Sequence, residues 1–331
     1  MGADTPTGHL TRGYAIALAA AATLSTTAIF IRYLTVTYDI PALVLAFWRD
    51  VFVCLTLLPV LALRRPLLLR VTRRHLRYLV GYGLVLAAFN ALWTLSVALN
   101  GAAAATVLVY CSAAFTALLG RWLLGEPLGW GKLVAVAICL GGCVLVAGAL
   151  QPAVWRANLV GIVTGVLSGL GYAAYSLMGR SASQRGLNPW TTVLYTFAFA
   201  TAFLLLFNLL PGAHLPGAAT RPADLFWLRS ALAGWGILFL LAAGPTLGGF
   251  GLYNVSLSYL PSSVANLIVT MEPAFTVVIA YLVLGERLTG TQLVGGAMIV
   301  TGVAFLRIYE GWLQRSEQAS GARESGAAAA R

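Results

Sequence analysis

Apolar runs of roughly 20 residues recur along this chain, and that is the length a helix needs to cross a bilayer. They fall at 13–33, 41–63, 78–98, 102–123, 130–149, 158–179, 189–210, 229–257, 262–284 and 289–309, ten spans separated by connections that are mostly short. The runs are continuous, whereas a membrane β-barrel shows alternating segments of about 10 residues. The expected fold class is therefore an all-α integral membrane protein. Composition agrees: 60% of the 331 residues are hydrophobic and 9% are charged, against about 25% charged in a soluble domain. So few charges cannot solvate a folded surface, and lipid has to cover it.

The net charge of +11 would suit a nucleic-acid partner, but its distribution argues otherwise. Most Lys and Arg lie in the connections, where they set orientation. No basic face interleaves with aromatics in the way a nucleic-acid groove requires. With the N-terminus inside, 15 of the 21 basic residues fall on the inner side and 6 on or near the outer side. That excess places both termini in the cytoplasm, as an even number of spans requires. Trp122, Trp130, Trp155, Trp190, Trp227, Trp312 and Tyr309 fall near span ends, where amphipathic rings anchor at the headgroup layer. The first run follows Arg12 as a signal peptide would, but it continues through Phe30 and Ile31. It is read as an uncleaved first helix.

The four cysteines, Cys54, Cys111, Cys139 and Cys143, all lie inside apolar runs and read as small core residues. His9, His75 and His214 are scattered over termini and connections without metal-ligand spacing, so neither a metal nor a cofactor is expected.

Residues 91–145 align with 251–305 without a gap at a constant offset of 160, with 15 of 55 positions identical. The matches include Ser96/Ser256, Phe115/Phe275, Thr116/Thr276 and Gly142/Gly302, and the string Leu124-Gly125-Glu126 with Leu128 against Leu284-Gly285-Glu286 with Leu288. Apolar composition alone would not hold this register through two helices and their loops. Gly125 and Gly285 suit the left-handed end of a helix. Glu126 and Glu286 then suit the start of the next helix, favoured by its dipole. The repeat unit is five helices, and an odd unit inverts the second copy in the membrane, a signature of many secondary transporters. The expected organisation is a cytoplasmic N-terminus at 1–12, a first five-helix repeat at 13–150, a second, inverted repeat at 151–310, and a disordered cytoplasmic tail at 311–331.

Several motifs resemble the drug/metabolite transporter superfamily, EamA type. They are Leu260-Pro-Ser-Ser-Val-Ala-Asn266, Glu272-Pro273, Leu284-Gly-Glu-Arg-Leu288 and the Gly-rich last span, together with Arg49 early in the second span and the five-plus-five duplication. The aromatic content and the Arg-rich connection at 64–77 are similar to the YddG-type branch of aromatic and other amino-acid exporters. The resemblance implies export of small metabolites, amino acids among them, across a bacterial inner membrane. The first half departs from the pattern, with Ser112-Ala113 where the second has Glu272-Pro273. Whatever that pair does is expected once.

A translocation path needs polar and aromatic groups facing inward. In the third span Tyr82, Phe89, Trp93 and Ser96 recur at spacings of seven, four and three and share a face bordered by Asn90. In the eighth span Trp235, Phe239, Ala242, Thr246 and Tyr253 are read the same way, and the offset sets Trp93 opposite Tyr253. Two such faces make a central cavity for an organic amine or amino acid; packing stripes are the alternative. Tyr110, Asn266 and Thr270 extend the polar set, as lining or as helix-to-helix glue.

Glu272 is an intramembrane carboxylate, either coupling protons or pairing with Arg49. Arg49 and Asp50 point about 100° apart on a helix, so each is expected to have its own partner. Pro245, amid Gly244, Gly248, Gly249 and Gly251, is a candidate hinge or gate of the eighth span, and Pro273 of the ninth. Gly161, Gly165 and Gly169 suit close helix packing.

The function expected is export of amino acids, or of related amphiphilic metabolites or drugs, by alternating access. Its partners are a small-molecule substrate and the lipid bilayer, with no nucleic acid and no obligate protein. The alternative is a membrane-embedded enzyme acting on a lipid or isoprenoid, which would need acidic, His or metal-ligand groups clustered at one membrane face. A channel generally draws its symmetry from oligomerisation. An ATP-driven pump needs a phosphate-binding loop, and Gly131-Lys132 is followed by Leu133 without the earlier glycine.

Overall fold

The computed structural model describes residues 6–146, 150, 159–210, 215–219, 221–275, 278–279, 289–291, 293–306, 308–309 and 312. Among them the regular structure is helical throughout, with no strand. Six helices are long and apolar enough to cross a membrane: Leu10–Thr37, Ala42–Arg64, Arg73–Ala102, Leu159–Gln184, Pro189–Leu209 and Leu232–Tyr259. Leu108–Leu124, Trp130–Leu145 and Leu293–Leu306 are shorter apolar helices, and a further helix opens at Ser262. The Gly285-Glu286 hairpin, Trp155 and the tail beyond Trp312 lie outside the described residues.

Several helices are broken, and local chemistry explains the breaks. The first span is two helices, Pro6–Leu24 and Thr27–Thr37. At the join, Thr23, Ser25 and Thr26 turn their hydroxyls back onto carbonyls three or four residues earlier, at 2.8, 2.6 and 3.2 Å, a pattern that bends helices. The third and fourth spans run on from each other except at Gly101, whose φ of 80° and ψ of 166° belong to glycine. The fourth span breaks again at Cys111, whose N–H turns to Leu108 O three residues back, before resuming as Ser112–Leu124. The ninth span does the same at Thr270 and Met271, whose N–H groups reach Leu267 O and Ile268 O.

These two breaks occupy corresponding positions of the repeat. Pro273 explains the second, since it has no N–H to give back to Val269, but the first occurs with no proline at all. The expectation that Glu272-Pro273 acts once therefore needs correction. The broken helix is built twice, and only the carboxylate and the ring are single.

The inversion is visible where the fifth and tenth spans touch. A Cβ on Gly142 would lie 2.7 Å from Gly295 O and 3.0 Å from Ile299 N; one on Gly302 would lie 3.2 Å from Ala135 O and 2.6 Å from Cys139 Sγ. Residues 135, 139 and 142 are the counterparts of 295, 299 and 302, so the contact is the same patch meeting itself. A twofold relating the halves passes through it. Elsewhere the sixth span lies backbone to backbone on the fourth, where a Cβ on Gly169 would come 3.1 Å from the carbonyls of both Leu108 and Val109 at the break.

The outside of the bundle is apolar, with Leu55, Leu63, Leu118 and Leu232 among many exposed side chains, and Trp122 and Trp130 are exposed at span ends. Arg64, Arg65, Arg70, Arg73, Arg74, Arg77, Arg121, Arg180 and Arg185 gather at one end of the helices, the arginine-rich end. The chain is a multi-pass membrane protein.

Candidate functional site

A cavity of about 430 Å3, counted to its open mouth, lies where the two broken helices meet the first, second, third, sixth and eighth spans. Leu24 and Thr27 come from the break in the first span, Val109 and Tyr110 from the fourth and Glu272 from the ninth. The third span gives Phe89, Asn90 and Trp93, and Arg49, Tyr172 and Phe250 complete the wall. Phe89 and Tyr172 stack with ring centroids 5.1 Å apart and planes 10° from parallel.

The polar groups of this cavity are unevenly matched. Tyr110 OH donates to Glu272 Oε2 at 2.5 Å. Asn90 Nδ2 donates to both Asp50 oxygens, at 3.0 and 2.8 Å. Arg49 Nε stands 3.6 Å from Asp50 Oδ1, so the adjacent pair, expected to part, instead share a site. The long arginine stem covers the 100° between them. Arg49 Nε and Nη2, Asn90 Oδ1 and Thr27 Oγ1 are buried without a hydrogen-bond partner.

Toward the arginine-rich end the cavity has a floor. Tyr82 lies about 10 Å along the third span from Phe89 on that side, and its ring meets Tyr175 at 4.8 Å. Tyr253 OH and Ser176 Oγ are 2.6 Å apart, Asn266 Nδ2 donates to Ser176 Oγ at 3.1 Å, and Ser112 Oγ donates to Asn266 Oδ1 at 3.0 Å. Asn254 Nδ2 donates to Tyr175 OH at 2.6 Å. One buried network thus ties the fourth, sixth, eighth and ninth spans together.

Beyond the floor stands Glu126, 8% exposed. Gly125, at φ 65°, ends the fourth span in the left-handed form expected of it. The glutamate does not serve the next helix in the chain, which starts only at Trp130. Oε1 accepts from Ser262 N at 2.7 Å and Ser262 Oγ at 2.6 Å; Oε2 accepts from Ser263 N at 3.2 Å and Ser263 Oγ at 2.6 Å. Glu126 therefore caps the ninth span, in the other repeat, satisfying orphan N–H groups of its first turn. Lys132 Nζ adds a bond to Ser263 Oγ at 2.9 Å.

Of the residues singled out from sequence, Arg49, Phe89, Asn90, Trp93, Tyr110 and Glu272 line the cavity, while Tyr82, Tyr253 and Asn266 belong to its floor. Thr246 is buried in the eighth span away from the lining. Trp235 and Phe239 sit elsewhere. Trp235 packs on Trp48 at 4.9 Å and Phe239 on Phe52 at 5.7 Å, with Phe239 47% exposed on the outside of the bundle. The reason is the π-turn at Ala242–Thr246, which holds Pro245. Its wider turn rotates the rest of the helix relative to a 3.6-residue count, so Phe250 faces in while Trp235 and Phe239 face out. Tyr172, Phe250, Leu24 and Thr27 escaped the sequence reading; the hydroxyl-rich Thr23-Leu-Ser-Thr-Thr27 was the signal for the last two. Among the described residues no group of three or more His, Cys, Asp or Glu gathers as a metal site would need.

Comparison with known proteins fits this geometry. An uncharacterized transporter of Archaeoglobus fulgidus is 30% identical over 242 residues, 72% of this chain and 79% of that protein. A probable amino-acid metabolite efflux pump of Escherichia coli is 25% identical over 69% of this chain and 75% of its own length. A probable terminal-alkyne amino-acid exporter of Streptantibioticus cattleyicolor is 29% identical over 62% of this chain and 64% of its own. One solved crystal structure superposes with a TM-score of 0.69 at 16% identity, covering 90% of this chain and 98% of that one, which shows a common fold. The profile of the EamA-like transporter family matches twice, at residues 11–148 and 159–308. Two copies of one helical unit, related by a twofold and enclosing a cavity, are thus two copies of that family's domain, and the chain belongs to the EamA-like transporter family.

Proposed function

We propose that this membrane transporter is a secondary exporter, moving amino acids or related small amphiphilic metabolites out of a bacterial cytoplasm by alternating access. The observation that carries the reading is the cavity at the crossing of two helices broken at corresponding positions of inverted repeats. Discontinuous helices at such a crossing are a recurring way to build a transport site within a membrane. The relatives named as exporters of amino-acid compounds support the substrate class. The arginine excess supports a cytoplasmic arginine-rich end in the inner membrane. On that orientation the floor and the Glu126 cap close the cytoplasmic side, and both have to part when substrate enters.

Glu272 is the candidate coupling group. The charged and titratable neighbours in its cavity are Tyr110, Tyr172 and Arg49, with Asp50 behind Arg49. Purified protein in liposomes, given labelled amino acids, nucleobases, sugars and cationic drugs with and without an imposed pH gradient, tests the reading. Amino-acid flux is expected. Flux of none of these classes sinks the transport reading, and flux indifferent to the gradient removes the proton. Pro245→Ala tests the gate: slower flux is expected, and unchanged rates count against a role for the π-turn.

A further inference from the structure

The cavity wall carries a cation whose donors the protein leaves partly unused. Arg49 is 1% exposed and lines the cavity, yet its Nε and Nη2 make no hydrogen bond. Its nearest acid, Asp50, lies 3.6 Å away and is held on both oxygens by Asn90 instead. Leaving a buried charge so poorly matched is costly. The guanidinium's planar fork is the shape that takes a carboxylate through two parallel bonds. The same cavity is also lined by a group of opposite sign, Glu272, with Tyr110 donating to its Oε2. Asn90 Oδ1, an acceptor on a lining residue, is also without a partner.

We infer that the cavity receives a zwitterion. Arg49 takes the carboxylate of a free α-amino acid, Glu272 and Asn90 Oδ1 take its ammonium group, and the apolar side chain lies along Phe89 and Tyr172. The inference rests on the export reading above and narrows it from small amphiphiles to molecules with both charges on one carbon. An amine without the carboxylate leaves Arg49 with Asp50 alone and its hydrogen bonds unmade, and an acid without the ammonium brings only repulsion to Glu272. Arg49 and Glu272 come from different repeats, so one ligand touches both halves.

Counterflow of labelled L-phenylalanine and L-leucine into liposomes containing the wild-type protein supplies the test. Competitors are the matching amines, phenethylamine and isopentylamine, and the matching acids, 3-phenylpropionate and 4-methylpentanoate. Each is expected to compete about ten- to a hundredfold more weakly than its parent, the loss that goes with one set of charged hydrogen bonds. Arg49→Gln is expected to weaken the parent amino acids by a similar factor while leaving competition by the amines unchanged. The wild-type competitor series stands by itself where that variant does not fold. Amines competing as well as the amino acids, with amino-acid counterflow intact, overturn this inference and leave the export reading in place. Wild-type protein that exchanges no amino acid overturns both.

Discussion

Glu126 and the Arg49–Glu272 cavity hold the same kinds of groups, buried to a similar degree, in opposite states of completion. At Glu126 both carboxylate oxygens are filled by four hydrogen bonds from Ser262 and Ser263. In the cavity Arg49 and Asn90 keep atoms without a hydrogen-bond partner. Folded proteins satisfy nearly all of their buried polar groups. A completed network is therefore the ordinary case, and it explains itself as structure. An incomplete one, gathered on the wall of a cavity, needs a function. The comparison teaches that an intramembrane charge is not by itself the signal of a transport site; the signal is a charge whose hydrogen bonds the protein leaves undone.

Glu126→Ala should break the comparison most severely. It strips the cap from the ninth span and takes the acceptor from the N–H and hydroxyl groups of two buried serines, which should cost about 2 kcal/mol or more, read as a lower melting temperature in detergent. A melting curve like the wild type would mean that the cap is incidental. Glu272→Gln should do the reverse. Its melting temperature should shift by under about 1 kcal/mol equivalent, while proton-dependent transport falls about tenfold; undiminished transport with unchanged pH dependence would remove the coupling role.

A smaller effect is expected of Tyr110→Phe, which deletes one bond to Glu272 at 2.5 Å. Interhelical bonds in membranes are worth on the order of 1 kcal/mol, so a modest loss of stability should accompany a shifted pH profile of transport. The smallest belongs to Phe239→Leu on the outer aromatic cluster, where stability and transport should change by less than about 0.5 kcal/mol equivalent. A large transport defect there would return that face of the eighth span to the substrate path.

Legibility in the sequence divides along the same line. Span positions and the duplication were legible because apolar length and a constant offset are properties of one chain segment at a time. Gly125 was legible for the same reason, its left-handed form being local. The partner of Glu126 was not, since Ser262 lies 136 residues away and local chemistry supplied a nearer candidate. Trp235 and Phe239 were misplaced because a helix apolar all round has no polar stripe to fix its facing, and the π-turn at Ala242–Thr246 then altered the count. The break at Cys111 carried no proline to announce it. Arg49 and Asp50 were separated by a rule about Cβ directions that a long side chain evades.

The contact of Gly142 with Gly295 and of Gly302 with Ala135 carries a thermodynamic consequence. If the protein works by alternating access, a twofold through that contact makes the form closed at the arginine-rich end and the form closed at the opposite end images of each other, and a perfectly repeated sequence would populate them equally. Any resting preference is then written only in positions where the repeats differ. Ser262 and Ser263 are such positions, because their counterparts are Ala102 and Ala103, which bring no hydroxyls. Under alternating access, two hydroxyl bonds to Glu126 weight the equilibrium toward the form closed at the arginine-rich end. Replacing both serines with alanine should shift cysteine accessibility from the mouth opposite the arginine-rich end to the mouth at that end, and an unmoved pattern would place the preference elsewhere in the chain. The twofold thus turns sequence divergence between the halves into a free-energy difference between conformations.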